Sequence, residues 1–150
     1  MNVDDIYKFF QSSVDTNARE FSLPHKTDLK SLRWVFSRDS YIPLGIFHEG
    51  NLIGYSLVRL LFPKLASYAI FVARDWQGRG IGTAALGKQL DFINQIGFNP
   101  SSAVNKANVK SLRMLQKLNI EFAKDCGNHF FVKNMRGNTD QRSAHEPHVL

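Results

Sequence analysis

With 150 residues, 43% of them hydrophobic, the chain can bury one proper core and is too short for two ordinary domains. No apolar run approaches the roughly 20 residues that span a bilayer, and the acidic start Met1-Asn2-Val3-Asp4-Asp5 leads into no signal-type stretch, so a membrane partner is not expected and the cytoplasm is. The formal charge of +6 suits an anionic ligand or an acidic substrate, and the single cysteine, Cys126, excludes an internal disulfide and fits a reducing compartment.

In chain order, Asp4 or Asp5 can cap a first helix in which Ile6, Phe9, Phe10 and Val14 recur at helical spacing. Asn17 to Lys26 is irregular, with Pro24 marking its end. A second helix is expected from Thr27 or Asp28, turning Leu29, Leu32, Val35 and Phe36 inward. Ile42 to His48, the turn Glu49-Gly50-Asn51 and Leu52 to Phe62 read as a β-hairpin stopped by Pro63. Lys64-Leu65-Ala66 leads into a strand ending at Val72 or Ala73. The helix after it runs from about Arg79 to Ile96, with Ile81, Ala85, Leu86, Leu90, Phe92, Ile93 and Ile96 as its apolar stripe and Gly97 as its stop. Ser102 to Asn105 is a short strand and Asn108 to Leu118 a helix. Ile120 to Lys124 and His129 to Asn134 form a hairpin around Cys126-Gly127-Asn128. Residues 136–150 are polar without periodicity and are expected to be a disordered tail behind a single domain, 1–135. Hairpins joined by one helical crossover describe an α/β fold with a mixed sheet flanked by helices.

The most informative stretch is Tyr68 to Thr83, where a strand pattern runs into Gly78, Gly80 and Gly82 and then a helix. Glycines let the backbone approach a ligand, and the helix start offers free N–H groups and a positive dipole end to an anion such as a pyrophosphate. Three motifs compete for these residues. A Walker A reading of Gly82 to Lys88 puts Gln89 where a magnesium-binding hydroxyl belongs, and it lies inside the helix, where amides are already bonded. A dinucleotide fingerprint Gly80-x-Gly82-x-x-Ala85 lacks its acidic ribose partner, since no Asp or Glu occurs between Asp91 and Glu121. The third, Gln77-Gly78-Arg79-Gly80-Ile81-Gly82, fills every position of a Gln-x-x-Gly-x-Gly pattern.

This motif, with Val104 and then Asn108 opening a second helix that ends at Lys117-Leu118-Asn119-Ile120, resembles the GCN5-related N-acetyltransferases from about residue 42 to 133. The resemblance implies a mostly antiparallel sheet of about six to seven strands, with no obvious counterpart of the family's first strand before Asp4. It also implies acetyl coenzyme A as acetyl donor and direct attack of an amine on its thioester. Backbone groups of Phe71 and Val72 would hold the pantetheine arm and supply an oxyanion donor. Gln77 and the amides of Gly78, Arg79, Gly80, Ile81, Gly82 and Thr83 would form the pyrophosphate loop, Arg79 would add charge, and Asn108 would bind the arm from the second helix.

Two departures from the family pattern concern the chemistry. The Tyr that many members carry seven residues after that Asn, placed to protonate the leaving thiolate, is Leu115 here, which leaves Ser111 as the candidate acid. The usual Glu base is missing, since Leu65 to Ala73 contains no carboxylate, which leaves Tyr68, Glu49 or a held water. His25, in Phe21-Ser22-Leu23-Pro24-His25, is the candidate wall of the acceptor groove, with a packed loop as the plainer alternative. Trp34 and Trp76 are expected to pack rather than stack on substrate, and Cys126 has no activating neighbour in sequence. His145 and His148 make no defined metal site, so no metal is expected.

The expected acceptor is the primary amine of a small molecule, such as an amino sugar or a polyamine-like metabolite. Ser111 with Leu115 also matches the branch that acetylates ribosomal-protein N-termini. A rival of another class is a nucleic-acid module, because Lys106, Lys110, Arg113 and Lys117 recur at three- and four-residue steps; a solvated helix face is the commoner origin of such a pattern. A non-catalytic cofactor sensor is a third reading, and a homodimer is compatible with all three.

Overall fold

The computed structural model describes residues 1–13 and 25–133. Val14, Phe21 to Pro24, most of the irregular segment and the expected tail lie outside the described residues. Helix α1 (Val3–Ser12) is capped by Asn2 rather than by Asp4 or Asp5. The Asn2 side chain accepts the Asp5 N–H at 2.9 Å while the Asp5 carboxylate accepts the Asn2 N–H at 3.0 Å. This reciprocal box needs the acid three residues inside the helix, so both aspartates fall in the first turn, where they face the positive dipole end. Helix α2 (Leu29–Phe36) starts at Asp28 as expected, with the Asp28 carboxylate accepting from the Ser31 N–H at 2.9 Å.

Strands β1 (Tyr41–His48), β2 (Asn51–Leu61) and β3 (Leu65–Val72) form an antiparallel meander. Its first turn is only Glu49-Gly50, both at positive φ (47° and 80°), the geometry of a two-residue hairpin loop. A 3₁₀ turn, Arg74–Trp76, leads to helix α3 (Ile81–Gln95), which crosses over to β4 (Asn99–Asn105), parallel to β3. Helix α4 (Val109–Lys117) and the hairpin β5 (Glu121–Cys126) and β6 (His129–Lys133) follow. The six strands run β1-β2-β3-β4-β6-β5, so the sheet is mixed and mostly antiparallel, with helices on both faces.

Strand alternation assigns the faces. Tyr55, Leu57 and Phe71 pack with Ile6, Phe9 and Phe10 of α1 and Leu32 and Val35 of α2. On the other face Val58 and Ala66 meet Ile93 of α3, while Tyr68 and Ile70 meet Leu86 and Leu90 of α3 and Leu115 of α4. Within α3 the expected stripe is corrected at two places. Ile96 is the exposed C-cap residue, and Gln89 is buried, its Nε2 donating to the Leu57 carbonyl at 3.0 Å. Among the described residues no helix is long and apolar enough to cross a membrane, and no group of three or more His, Cys, Asp or Glu is placed to hold a metal.

Candidate active site

The site begins where a ladder ends. β3 and β4 pair only at Leu65–Asn99 and Ala66–Pro100, and beyond them the strands part. The Ala73 N–H donates to the Ile53 carbonyl at 2.8 Å, and antiparallel bonding alternates along the unbroken β2–β3 register. That parity hands the backbone groups of Phe71 to Tyr55 of β2 and turns those of Tyr68, Ile70 and Val72 toward the gap. The two carbonyls bonded there follow it: Tyr68 accepts from Ser102 Oγ at 3.3 Å, and Val72 accepts from Gln77 Nε2 at 3.0 Å. Phe71 therefore borders the cleft with its chain but gives its main-chain bonds to β2, and Ile70 joins Val72 as the strand's outward-facing donors.

Past β3 the backbone folds into the glycine loop. Gly78 and Gly80 both sit at φ 77°, where an added Cβ would meet nothing within 4 Å, so glycine is needed there for its left-handed conformation and not for space. At Gly82 the reason is the reverse, because a Cβ would lie 3.3 Å from Met114 Sδ and 3.7 Å from Val72 Cγ2. Gly80 is the N-cap of α3 and brings no side-chain cap, which leaves first-turn N–H groups for an outside acceptor.

Splay, loop and α4 enclose a cleft of about 940 Å³. Of the residues singled out from the sequence, Tyr68, Phe71, Val72, Gln77, Gly78, Gly80, Gly82, Thr83, Asn108 and Ser111 line it. Arg79, Ile81, Glu49 and His25 are not among its walls. Arg79 points elsewhere: its guanidinium lies 4.8 Å over the Trp76 ring, whose centre is 4.6 Å from that of His48. Asn108 caps α4 through its Oδ1, which accepts the Ser111 N–H at 3.1 Å, so only its amide NH₂ is left to donate to a ligand.

The basic residues divide. Lys106 precedes α4 and is paired with Asp125 through both carboxylate oxygens, at 2.6 and 2.7 Å. Lys110 reaches over to Gln77 Oε1 at 2.9 Å and, with Arg113 and Lys117, lines the cleft. They rim one concave site and do not form a continuous face with Lys106. Sequence reasoning missed Ser102 and the Gln77–Lys110 bridge, because both contacts join segments more than 30 residues apart.

The groups considered for acid and base work are scattered. Glu49 is in the exposed hairpin turn of β1 and β2, and the structure does not bring it to the cleft. The Tyr68 hydroxyl is buried without a hydrogen-bond partner among the described residues, and burial pushes its pKa up to about 12. It therefore keeps its proton near neutrality, which corrects its expected role as a base. His25 lies on the opposite face of the sheet, half-buried against Phe10 and Tyr55. Its Nδ1 is 2.9 Å from the Lys26 carbonyl, which fixes the proton on Nδ1, and its Nε2 is 3.4 Å from the Tyr55 hydroxyl. Burial lowers the pKa of His25 and raises that of Tyr55, so the imidazole is neutral at pH 7.

The family model described as Acetyltransferase (GNAT) family matches residues 4–120. No curated protein matches the chain. Among solved structures, PaiA N-acetyltransferase from Thermoplasma acidophilum in complex with coenzyme A superposes with TM-score 0.71 at 15% identity, over 89% of this chain and 94% of that one. Campylobacter jejuni N-acetyltransferase PseH in complex with acetyl coenzyme A gives 0.60 at 15%, over 69% and 73%. Ribosomal-protein-alanine N-acetyltransferase from Brucella melitensis gives 0.66 at 16%, over 89% and 96%. At such identities the likeness speaks for the fold.

Proposed function

Because the chain belongs to the GNAT acetyltransferase family, we propose that it transfers the acetyl group of acetyl coenzyme A, seated in the β3–β4 cleft, to the primary amine of a small molecule. The observation that carries this reading is the splay itself: a cleft with outward-facing main-chain groups on one wall and the uncapped start of α3 at its mouth. A pyrophosphate fits the amides around Gly78 to Thr83, with Lys110, Arg113 and Lys117 supplying positive charge. An extended amide-bearing arm fits between Ile70 and Val72 on one side and the Asn108 NH₂ on the other. The bound donor supplies the activated acyl group.

The chain's own residues then have defined tasks. The Val72 N–H, turned toward the gap, donates to the carbonyl oxygen as its charge grows. For an acceptor amine that approaches from the face of the sheet opposite the donor cleft, His25, neutral there, takes the proton the amine must lose on Nε2, which gives up its long 3.4 Å contact with the Tyr55 hydroxyl. The Phe10 and Tyr55 rings packed against it belong to the buried core, so an acceptor has to reach His25 from its half-exposed side. The leaving thiolate needs a hydrogen-bond donor, and Ser111 is one hydroxyl that borders the cleft. Ser111→Ala is expected to lower kcat; a kcat unaffected across the pH profile removes it from the mechanism.

Calorimetric titration with acetyl coenzyme A tests the central claim, with NAD, ATP and a short DNA duplex as controls at the same salt. Selective binding of acetyl coenzyme A, lost in Gly80→Glu, is the expected result; binding of the duplex alone would overturn it. Ser111 with Leu115 favours a second acceptor class, a protein N-terminus. Thiol release measured over a panel of small amines and Ala- or Ser-starting peptides separates the two.

A further inference from the structure

The family resemblance implies a tyrosine hydroxyl on α4 at the position of Leu115, and Ser111, in the first turn of that helix, is so far the one hydroxyl set against the leaving sulfur. Leu115 is buried in an apolar cluster with Leu86, Leu90, Val104 and Val132, against which Tyr68 and Ile70 of β3 pack, Tyr68 bridging to the neighbouring cluster of Val58, Ala66 and Ile93. Tyr68 and Leu115 both line the cleft. The Tyr68 hydroxyl is buried and has no hydrogen-bond partner among the described residues. An orphaned buried hydroxyl is destabilising, so in an otherwise apolar cluster phenylalanine would be the more stable choice unless a bound molecule completes the bond.

We propose that Tyr68 is the hydroxyl that meets the coenzyme A sulfur, supplied from β3 in place of the one missing from α4. The proposal rests on the acetyl coenzyme A reading of the cleft. In the transfer step the amine nitrogen forms a bond to the acyl carbon, the carbon–sulfur bond breaks, and its electron pair stays on sulfur as a thiolate that accepts a hydrogen bond from Tyr68. The amine proton leaves through the His25 side, and the thiolate later takes a proton from water. Tyr68 does not surrender its own proton, because a phenol at about 12 is a weaker acid than a thiol near the reference of about 8.5. It acts as a fixed dipole placed where charge develops. Ser111, in the first turn of α4 with its N–H tied to Asn108, serves the mouth of the cleft in this arrangement.

The experiment compares the wild type, Tyr68→Phe and the double variant Tyr68→Phe with Leu115→Tyr. Three quantities are read: the calorimetric Kd for acetyl coenzyme A, the apparent pKa of the bound coenzyme A thiol from its thiolate absorbance, and kcat for acceptor-dependent thiol release. Tyr68→Phe should leave Kd within about twofold, raise the bound-thiol pKa by about one unit and lower kcat about tenfold, with Tm unchanged or higher. The double variant should recover part of both losses. A thiol pKa and kcat unchanged in Tyr68→Phe would overturn the proposal while leaving the cofactor reading intact. A wild type that does not bind acetyl coenzyme A would overturn both, and a loss of Kd together with Tm would show a packing role instead.

Discussion

His25, across the sheet from the cleft, carries the clearest pH signature of the residues considered for the chemistry. Its folded-state pKa lies below the ordinary value of about 6.5 because burial disfavours the imidazolium. As pH falls through 6.5 the unfolded chain binds a proton that the folded chain refuses. Stability therefore drops in the window between 6.5 and the lower folded value, and no further below it. His25→Gln should flatten that segment of a Tm-against-pH curve. If His25 is the base, kcat should hold through that window and fall only as pH drops through the lower folded value, and the variant should lose about 100-fold in kcat, within the usual range for such a group. Asn108 allows a second separation at this scale. Asn108→Asp keeps an acceptor for the Ser111 N–H and so should hold Tm, yet it loses the NH₂ donor and should weaken acetyl coenzyme A binding about tenfold. Asn108→Ala should lose binding and about 1 kcal/mol of stability together, read by calorimetry and denaturant unfolding.

At the scale of elements, α3 explains why some features are legible in a sequence and others are not. Its start is announced by glycines, two at the left-handed φ that favours glycine and one, Gly82, packed close to Met114 and Val72, so the bulk of Gly82→Leu should abolish cofactor binding while far-UV circular dichroism stays native. Its apolar period continues into Ile96, but the helix stops at Gln95, where the C-cap turn already bonds the last carbonyls. Gln89 carries no apolar signal, and only the sheet beneath it supplies the Leu57 carbonyl that accounts for its burial. The hairpins and α4 announce themselves by turn and cap chemistry that is local. The splay of β3 from β4 has no local signal, since it is a pairing that two distant strands do not make. The same holds for His25 and Tyr55, which meet across 30 residues.

For the whole molecule, ligand and fold should be coupled. The cleft joins the two halves of the sheet where their own hydrogen bonds stop, so a molecule lying in it adds contacts that only the folded chain can make. Acetyl coenzyme A at about 100 times its Kd should add about 2.7 kcal/mol and raise Tm by roughly 5 to 10 °C in scanning calorimetry. The charges that rim the mouth should make that affinity fall with added salt, while Lys106, held by Asp125, should contribute little: Lys106→Ala is expected to leave Kd within about twofold.

The parting of β3 and β4 also bears on how such a protein can change over time. Its outward groups on β3 are peptide N–H and C=O, which every residue except proline carries alike, so the grip on the donor survives almost any replacement along that strand. Side chains on the flanking faces are then at liberty to be exchanged for new acceptors.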